Sequence, residues 1–122
     1  MGALSELVNL RDLSFQCSKV GDVSPLSKLV NLKRLDLTNN QINDLSPLSG
    51  LINLKNLFLK CKLLKDISPL EGLINLDTLN IYSELLTDIS PISKLTNLDR
   101  LNLNGCPVGD YSPAAHVRDL QK

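Results

Sequence analysis

Apolar residues recur along this chain with a period of 22 residues, in five consecutive units that begin at Leu7, Leu29, Leu51, Leu73 and Leu95. Each unit follows the pattern L-x-N-L-x-x-L-x-apolar-x-x-x-x-apolar-x-D-apolar-S-P-apolar-x-x. A single unit of this length cannot bury its own apolar side, so successive units must stack and share one continuous core. The pattern therefore predicts a repeat solenoid.

A strand is predicted in each unit from apolar residues spaced two apart. The seventh and ninth positions carry them, for example Leu35 and Leu37, and a period of two is typical of β structure. We expect five strands near residues 12–15, 34–37, 56–59, 78–81 and 100–103. Because a long return path separates one strand from the next, the strands can pair only in parallel. Their sheet should line the concave face of the coil.

The return path of each unit carries the sequence D-x-S-P, as in Asp44 to Pro47. Serine followed by proline favours the start of a short helix, because the hydroxyl can cap free N–H groups and proline lacks the donor that would be left unbonded. Few residues remain before the next leucine. We therefore expect a single turn of 3₁₀ or α helix on the convex side.

The whole chain is predicted to be one domain of the α/β class, a right-handed solenoid with a parallel concave β-sheet and short 3₁₀ or α turns on its convex side. Residues 1–6 match the end of a preceding unit, and the repeats then cover 7–28, 29–50, 51–72, 73–94 and 95–116. Residues 117–122 are predicted to form a tail or a short cap helix. Since no cap precedes the first unit, we expect either a segment of a longer array or self-association through the uncapped ends.

The segment from Leu29 to Leu51, LVNLKRLDLTNNQINDLSPLSGL, resembles the 22-residue leucine-rich repeats of bacterial internalins, and the likeness extends over nearly the whole chain. The resemblance implies a leucine-rich-repeat solenoid whose concave sheet is presented to other proteins. Internalins usually carry asparagine at the twelfth position of the repeat, where only Asn40 conforms here. In the same column we expect Lys62 and Glu84 to turn outward, because burying a lone charge is costly. The asparagines at the third position are expected to satisfy backbone groups.

The charges of the chain cancel, since 13 basic residues are matched by 13 acidic ones. No net field attracts nucleic acid or an anionic membrane, so we expect neither as a partner. No apolar run approaches the roughly 20 residues that span a bilayer, and the first residues lack the basic and apolar regions of a signal peptide.

The three cysteines are predicted to be free thiols. Cys17 and Cys61 lie at the same repeat position two units apart, which corresponds to ~10 Å at ~4.8 Å per strand, whereas a disulfide tolerates Cα separations only up to ~7 Å. Cys106 lies about two units further on. Free thiols favour a cytoplasmic location, with an exported or cell-surface location as the alternative if the chain is part of a longer protein.

Two groups of residues could support chemistry, and for both a structural role is favoured. Asp110, Ser112 and His116 contain the residue types of a hydrolase triad, but the first two recur in every unit and no nucleophile elbow precedes the serine. The aspartate column at the sixteenth position could attract calcium, yet the further carboxylates of a calcium site are missing and each aspartate can accept turn N–H bonds instead. We therefore predict no catalytic residue, no metal and no cofactor.

The strand positions that alternate with the leucines are free to contact a partner, and most of them are polar. Phe58 and Tyr82 are the exceptions. An exposed aromatic pair with basic residues nearby has the composition of an interface hot spot, although the rings could equally cover neighbouring side chains. The predicted partner-binding residues are Arg34, Phe58, Lys60, Tyr82, Leu85 and Arg100.

The sequence therefore favours a non-enzymatic module that binds a protein or peptide on its concave sheet. The alternative is a structural or self-associating segment of a longer internalin-like bacterial surface or effector protein. An enzyme would require a catalytic domain outside this sequence.

Overall fold

A computed structural model describes residues 9–14, 21–38 and 41–122 of the chain. Six short parallel strands form one sheet, in the order in which they occur along the chain. They are β1 (Asp12–Ser14), β2 (Arg34–Leu37), β3 (Asn56–Lys60), β4 (Thr78–Tyr82), β5 (Arg100–Asn102) and β6 (Asp119–Gln121). The first five strands lie where the repeat pattern predicts them, and Phe15 at the end of the first falls outside the described residues.

Five 3₁₀ turns alternate with the strands and form the opposite side of the coil. They span Ser24–Lys28, Ser46–Leu48, Ser68–Leu70, Ser90–Lys94 and Ser112–Ala114, and successive turns contact one another. Parallel strands joined by such crossovers form right-handed coils, so the predicted solenoid is confirmed. None of the helical turns in the described part of the chain is long or apolar enough to cross a bilayer.

The start of each 3₁₀ turn is capped by the aspartate of the D-x-S-P sequence and not by the serine hydroxyl. The backbone N–H of the turn's first serine donates to the carboxylate of the aspartate two residues earlier, as in Ser68 and Asp66 at 2.8 Å. The same bond occurs in all five turns. The predicted serine cap is wrong, because serine is the first residue inside the turn. The predicted turn N–H bonds to the aspartates are confirmed, since the short aspartate side chain reaches the free N–H.

The core lies between the sheet and the turns and repeats with the sequence. In the units that begin at Leu29, Leu51 and Leu73, the apolar residues at positions 1, 4, 7, 9, 14, 17 and 20 are all buried. The core is less completely buried at the C-terminal end, since Val108 and Tyr111 of the last unit and Leu120 of β6 are only partly buried against it. Burying a leucine stabilises the fold by about 1.5–3 kcal/mol, so stacking of these columns dominates stability.

Asparagine side chains at the third position connect adjacent units, as predicted. The Nδ2 groups of Asn53, Asn75 and Asn97 donate to backbone carbonyls of the preceding unit at 2.8–3.0 Å. These bonds satisfy backbone carbonyls where the chain turns into each strand. The residue at the second position of the repeat lies at the same turn and exposes an apolar side chain. In that position Val30, Ile52 and Ile74 are 46%, 55% and 53% exposed.

Residues 117–122, for which a tail or a short cap helix was predicted, contain the sixth strand and no helix. Leu120 of β6 pairs in register with Leu101 of β5, 19 residues earlier, whereas Leu101 pairs with Leu79, 22 residues earlier. The last return path is therefore shorter by three residues, and the strand falls outside the 22-residue period. Arg118, the residue before β6, makes a bidentate salt bridge with Asp99. Its Nε and one terminal nitrogen donate to the two carboxylate oxygens at 2.9 and 2.7 Å.

Candidate partner-binding face

The concave face is formed by the strand positions that alternate with the buried leucines. In β3 the side chains of Leu57 and Leu59 are buried while those of Asn56 and Phe58 are half-buried, and β4 alternates in the same way. Both predicted aromatic residues, Phe58 and Tyr82, therefore lie on the concave side of adjacent strands. Short hydrogen-bonded strands on a packed core hold these positions rigidly.

Phe58 lies under a basic side chain from the preceding unit. The guanidinium carbon of Arg34 is 5.0 Å from the centre of the Phe58 ring, and one of its terminal nitrogens lies 3.4 Å from the Asp12 carboxylate. Arg34 keeps 42% of its side chain exposed. The pair joins β2 and β3, and it holds the planar guanidinium against the aromatic ring on the concave face.

A second pair of the same kind joins β3 and β4. The Lys60 amine lies 5.8 Å from the centre of the Tyr82 ring, and the Tyr82 hydroxyl donates to Glu84 at 3.3 Å. Desolvation and then the nearby Glu84 carboxylate raise the pKa of Tyr82 above its usual value. The shift has the sign expected for a hydroxyl that donates to a carboxylate.

The ring of Tyr82 also packs on the backbone of the next unit. Gly105 has a φ of +88°, and a Cβ built there would lie 2.6 Å from Cδ1 and Cε1 of Tyr82. The ring thus occupies the space that any other residue at position 105 would need. The only sign of this contact in the sequence is the glycine itself, which follows Asn104 in the loop after β5.

Arg100 lies apart from the aromatic pairs, two strands beyond Phe58. It pairs in register with Thr78 and Asp119 and lines a shallow cleft of about 210 Å³. The other polar side chains of that cleft are Thr78, Asn80, Asn102, Asp119 and Gln121. Asn102 donates to Gln121 at 3.0 Å, which extends the concave face onto β6, a strand that the sequence prediction missed.

Leu85 lies outside the sheet, in the loop that follows β4. It is 39% exposed, and its backbone N–H donates at 3.1 Å to the hydroxyl of Ser83, a residue with no solvent exposure. That hydroxyl also contacts the carbonyls of Lys62 and Leu64 in the loop of the preceding unit. The role of Ser83 was missed because the buried polar side chain lies at the eleventh position in this unit and not at the twelfth.

The six predicted binding residues therefore form two ordered pairs, one isolated arginine and one loop leucine. Comparison with known proteins places the chain in a family. The family of Leucine Rich repeats (2 copies) matches residues 8–50 and 30–72. The chain belongs to the leucine-rich repeat family. Comparison with curated protein sequences found no match.

Among solved structures, this leucine-rich repeat chain is similar to two internalins of Listeria monocytogenes. With internalin C2 the identity is 34% and the TM-score 0.92, over 98% of this chain and 54% of that one. With a second internalin, inlF, the identity is 31% and the TM-score 0.64, over 96% and 41% of the two chains. The chain thus spans about half the length of these internalins. A leucine-rich repeat protein of Leptospira interrogans, 20% identical with a TM-score of 0.77 over 98% of this chain and 38% of that one, shares the fold.

The candidate triad is not assembled in this leucine-rich repeat chain. The Asp110 carboxylate accepts the backbone N–H of Ser112, and hydrogen bonds from the backbone and then the hydroxyl of Ser112 lower the pKa of Asp110. His116 instead contacts the carbonyl of Leu95 through Nε2, at 2.8 Å. The three residues each serve a turn or a unit boundary.

The remaining candidate ligands are also engaged in the fold. Cys61 and Cys106 are free and buried, and desolvation raises the pKa of the Cys61 thiol to about 11; Cys17 lies outside the described residues. Across residues 9–14, 21–38 and 41–122, no three His, Cys, Asp or Glu side chains cluster as a metal site requires. Lys62 and Glu84 are exposed, as predicted for the twelfth position.

Proposed function

We propose that the chain is a non-enzymatic binding module that holds a protein or peptide segment on its concave sheet. The observation that carries the proposal is the pair of cation-and-ring contacts, Arg34 with Phe58 and Lys60 with Tyr82. Each contact joins adjacent units, so both rings are ordered before any partner arrives. A surface that is already ordered loses less side-chain entropy when it binds.

The composition of this face favours an extended peptide or a protein surface as the partner. Aromatic and arginine side chains contribute most of the energy at protein interfaces, and here they are surrounded by neutral polar side chains such as Asn56, Thr78 and Asn80. Arg100 and the polar cleft beside it would contact the far end of such a segment. The similarity to internalins, which share this solenoid, supports the same class of function.

Selection from a random peptide display library tests the proposal for a partner of any sequence. We expect peptides selected on the intact chain to lose binding when Phe58→Ala or Lys60→Ala is introduced. The matched control is Glu71→Ala on the convex side, where the carboxylate makes only an exposed contact of 3.8 Å with Lys94. Selected peptides that bind the concave variants as well as the intact chain would overturn the proposal.

A further inference from the structure

A column of exposed apolar side chains lies on the flank of the coil where the chain enters each strand. Val30, Ile52 and Ile74 occupy the second position of successive units, and about half of each side chain is exposed. Units stack at the strand spacing of about 4.8 Å, so the three side chains form one ridge. Asparagine amides donate to the backbone carbonyls of these same three residues. The ridge is therefore ordered, and a continuous apolar surface of this kind favours contact with another protein surface.

A column of charged side chains runs beside the ridge, at the fifth position of the units, and its sign changes halfway along. The first half is basic, with Arg11, Lys33 and Lys55, and the second half is acidic, with Asp77 and Asp99. A backbone bond of 2.8–2.9 Å connects each member of the column to the one before it. A shallow cleft of about 520 Å³, bordered by Lys55 and Asp77, lies where the sign changes. The flank thus presents opposite charges side by side at a fixed spacing.

The two charges at the centre of this column have no ion-pair partner. Lys55 and Asp77 are both exposed, and neither makes a salt bridge within residues 9–14, 21–38 and 41–122. Asp77 accepts a hydrogen bond from the neutral Thr78 hydroxyl at 3.2 Å, which leaves its charge uncompensated. Both groups are therefore available to a partner.

The other charges of the flank lie farther from its centre. Towards the last units, Glu71 is 3.8 Å from Lys94, and Asp99 forms the bidentate bridge with Arg118, so these four charges largely cancel. Three basic side chains of the first units make no salt bridge in the described part of the chain, and they are Arg11, Lys28 and Lys33. Unpaired charges of opposite sign therefore meet only at the centre, beside the apolar ridge.

We propose that Val30, Ile52, Lys55, Ile74 and Asp77 form a contact surface, the ridge face, for a second copy of the chain. A two-fold axis between the third and fourth units would reverse the direction of the columns in the second copy. Ile52 of each copy would then pack on Ile74 of the other. Lys55 of each copy would pair with Asp77 of the other, so the same two contacts occur twice. Pairing without reversal would oppose Lys55 to Lys55 and Asp77 to Asp77, so the charge order selects the reversed arrangement.

The rest of the flank is compatible with this arrangement. The unpaired basic side chains of the first units would face the salt-bridged pairs of the last units, which present little net charge. A partner of one charge sign fits less well, because either Lys55 or Asp77 would repel it beside the ridge. Four units span only ~19 Å at ~4.8 Å each, so the contact is smaller than the ~800 Å² per partner of a stable interface. We therefore expect a weak dimer.

Sedimentation across a concentration series tests the ridge face. We expect the intact chain to form dimers as its concentration rises. Lys55→Asp and Asp77→Lys should each weaken this association by about tenfold or more, because each variant places like charges opposite one another. Mixed in equal amounts, the two variants should associate again, since each copy then offers two charges of one sign to two of the other.

The controls separate the ridge face from other surfaces. Ile52→Ser should weaken the dimer, whereas Leu63→Ser, at a similarly exposed apolar site on the opposite flank, should leave it unchanged. Phe58→Ala should also leave it unchanged, so failure of the concave site does not affect this result. A monomer at every concentration, a dimer that Lys55→Asp leaves intact, or mixed variants that stay monomeric would each overturn the proposal.

Discussion

At the scale of single residues, Tyr82 connects the candidate binding face to the fold. Its ring packs on Gly105 of the next unit, its hydroxyl donates to Glu84 in the following loop, and the Lys60 amine lies 5.8 Å from the ring centre. A substitution near this ring should therefore affect stability and binding together. Phe58 has no comparable backbone contact among those described, which makes it the better position for separating the two effects.

Replacing Gly105 with alanine tests the packing of Tyr82. The new Cβ would lie 2.6 Å from two ring atoms, on a backbone with a φ of +88°. We expect a loss of about 1–3 kcal/mol in the free energy of unfolding, measured with urea, because both the clash and the left-handed backbone add strain. Gly50→Ala is the matched control, since nothing lies within 4 Å of its Cβ. Equal stability of the two variants would show that the ring moves aside without cost.

At the scale of elements, the aspartate before each 3₁₀ turn acts as its cap. Hydrogen bonds from the following serine lower the pKa of Asp22, Asp88 and Asp110, chiefly through its backbone N–H, and that of Asp44, chiefly through its hydroxyl, from the ordinary value of 3.8. A carboxyl whose pKa is lower in the folded chain stabilises the fold while it is ionised. That contribution is complete above the ordinary pKa and is lost as the pH falls through the folded one.

The stability of the fold at acidic pH tests these aspartate caps. We expect the urea midpoint to decrease as the pH falls below 3.8, the ordinary value for an aspartate, because the carboxylates become protonated and lose the serine bonds. Asp88→Asn with Asp110→Asn keeps an acceptor oxygen without a titrating group, so this variant should lose less stability over the same pH range. Parallel profiles for the variant and the intact chain would contradict the assignment.

The repeat register explains which elements the sequence could predict. Strand positions follow from leucines such as Leu57 and Leu59, because a single register buries every one of them. β6 could not be found in the same way, since Val117 and Leu120 fall at the first and fourth positions of the 22-residue period. The last return path is three residues shorter, so Leu120 instead takes the strand position that Leu101 holds in the preceding unit. The sequence offers both the serine hydroxyl and the aspartate carboxylate as acceptors for the turn N–H groups, and only the geometry of the turn shows that the carboxylate is the one used.

The sequence predicts which residues lie at the candidate site, but it does not predict how their side chains contact one another. Alternation along β3 and β4 is enough to place Phe58 and Tyr82 on the concave side. The contacts of Arg34 and Lys60 with these rings depend on side-chain conformation across neighbouring units, which no pattern in one unit specifies. The support from Gly105 and Ser83 likewise comes from positions that break the repeat.

At the scale of the whole molecule, stability comes from stacking, because each unit contacts only its neighbours. Leu57 lies in a central unit and is fully buried. We expect Leu57→Ala to reduce the free energy of unfolding by ~2–5 kcal/mol, measured by urea titration. Ile52→Ala removes an apolar side chain from the same unit that is 55% exposed, and its effect should stay within about 0.5 kcal/mol. Similar losses in the two variants would contradict a stacked core.

The concave binding site is tested most directly by Phe58→Ala. For a peptide selected on the intact chain, calorimetry should show binding weakened by ~2 kcal/mol or more, while the urea midpoint stays nearly unchanged. This outcome would separate a binding role of the ring from a packing role. Equal losses of binding and of stability would contradict the account and make Phe58 a packing residue. Unchanged binding would also contradict it, because the ring would then not contact the peptide.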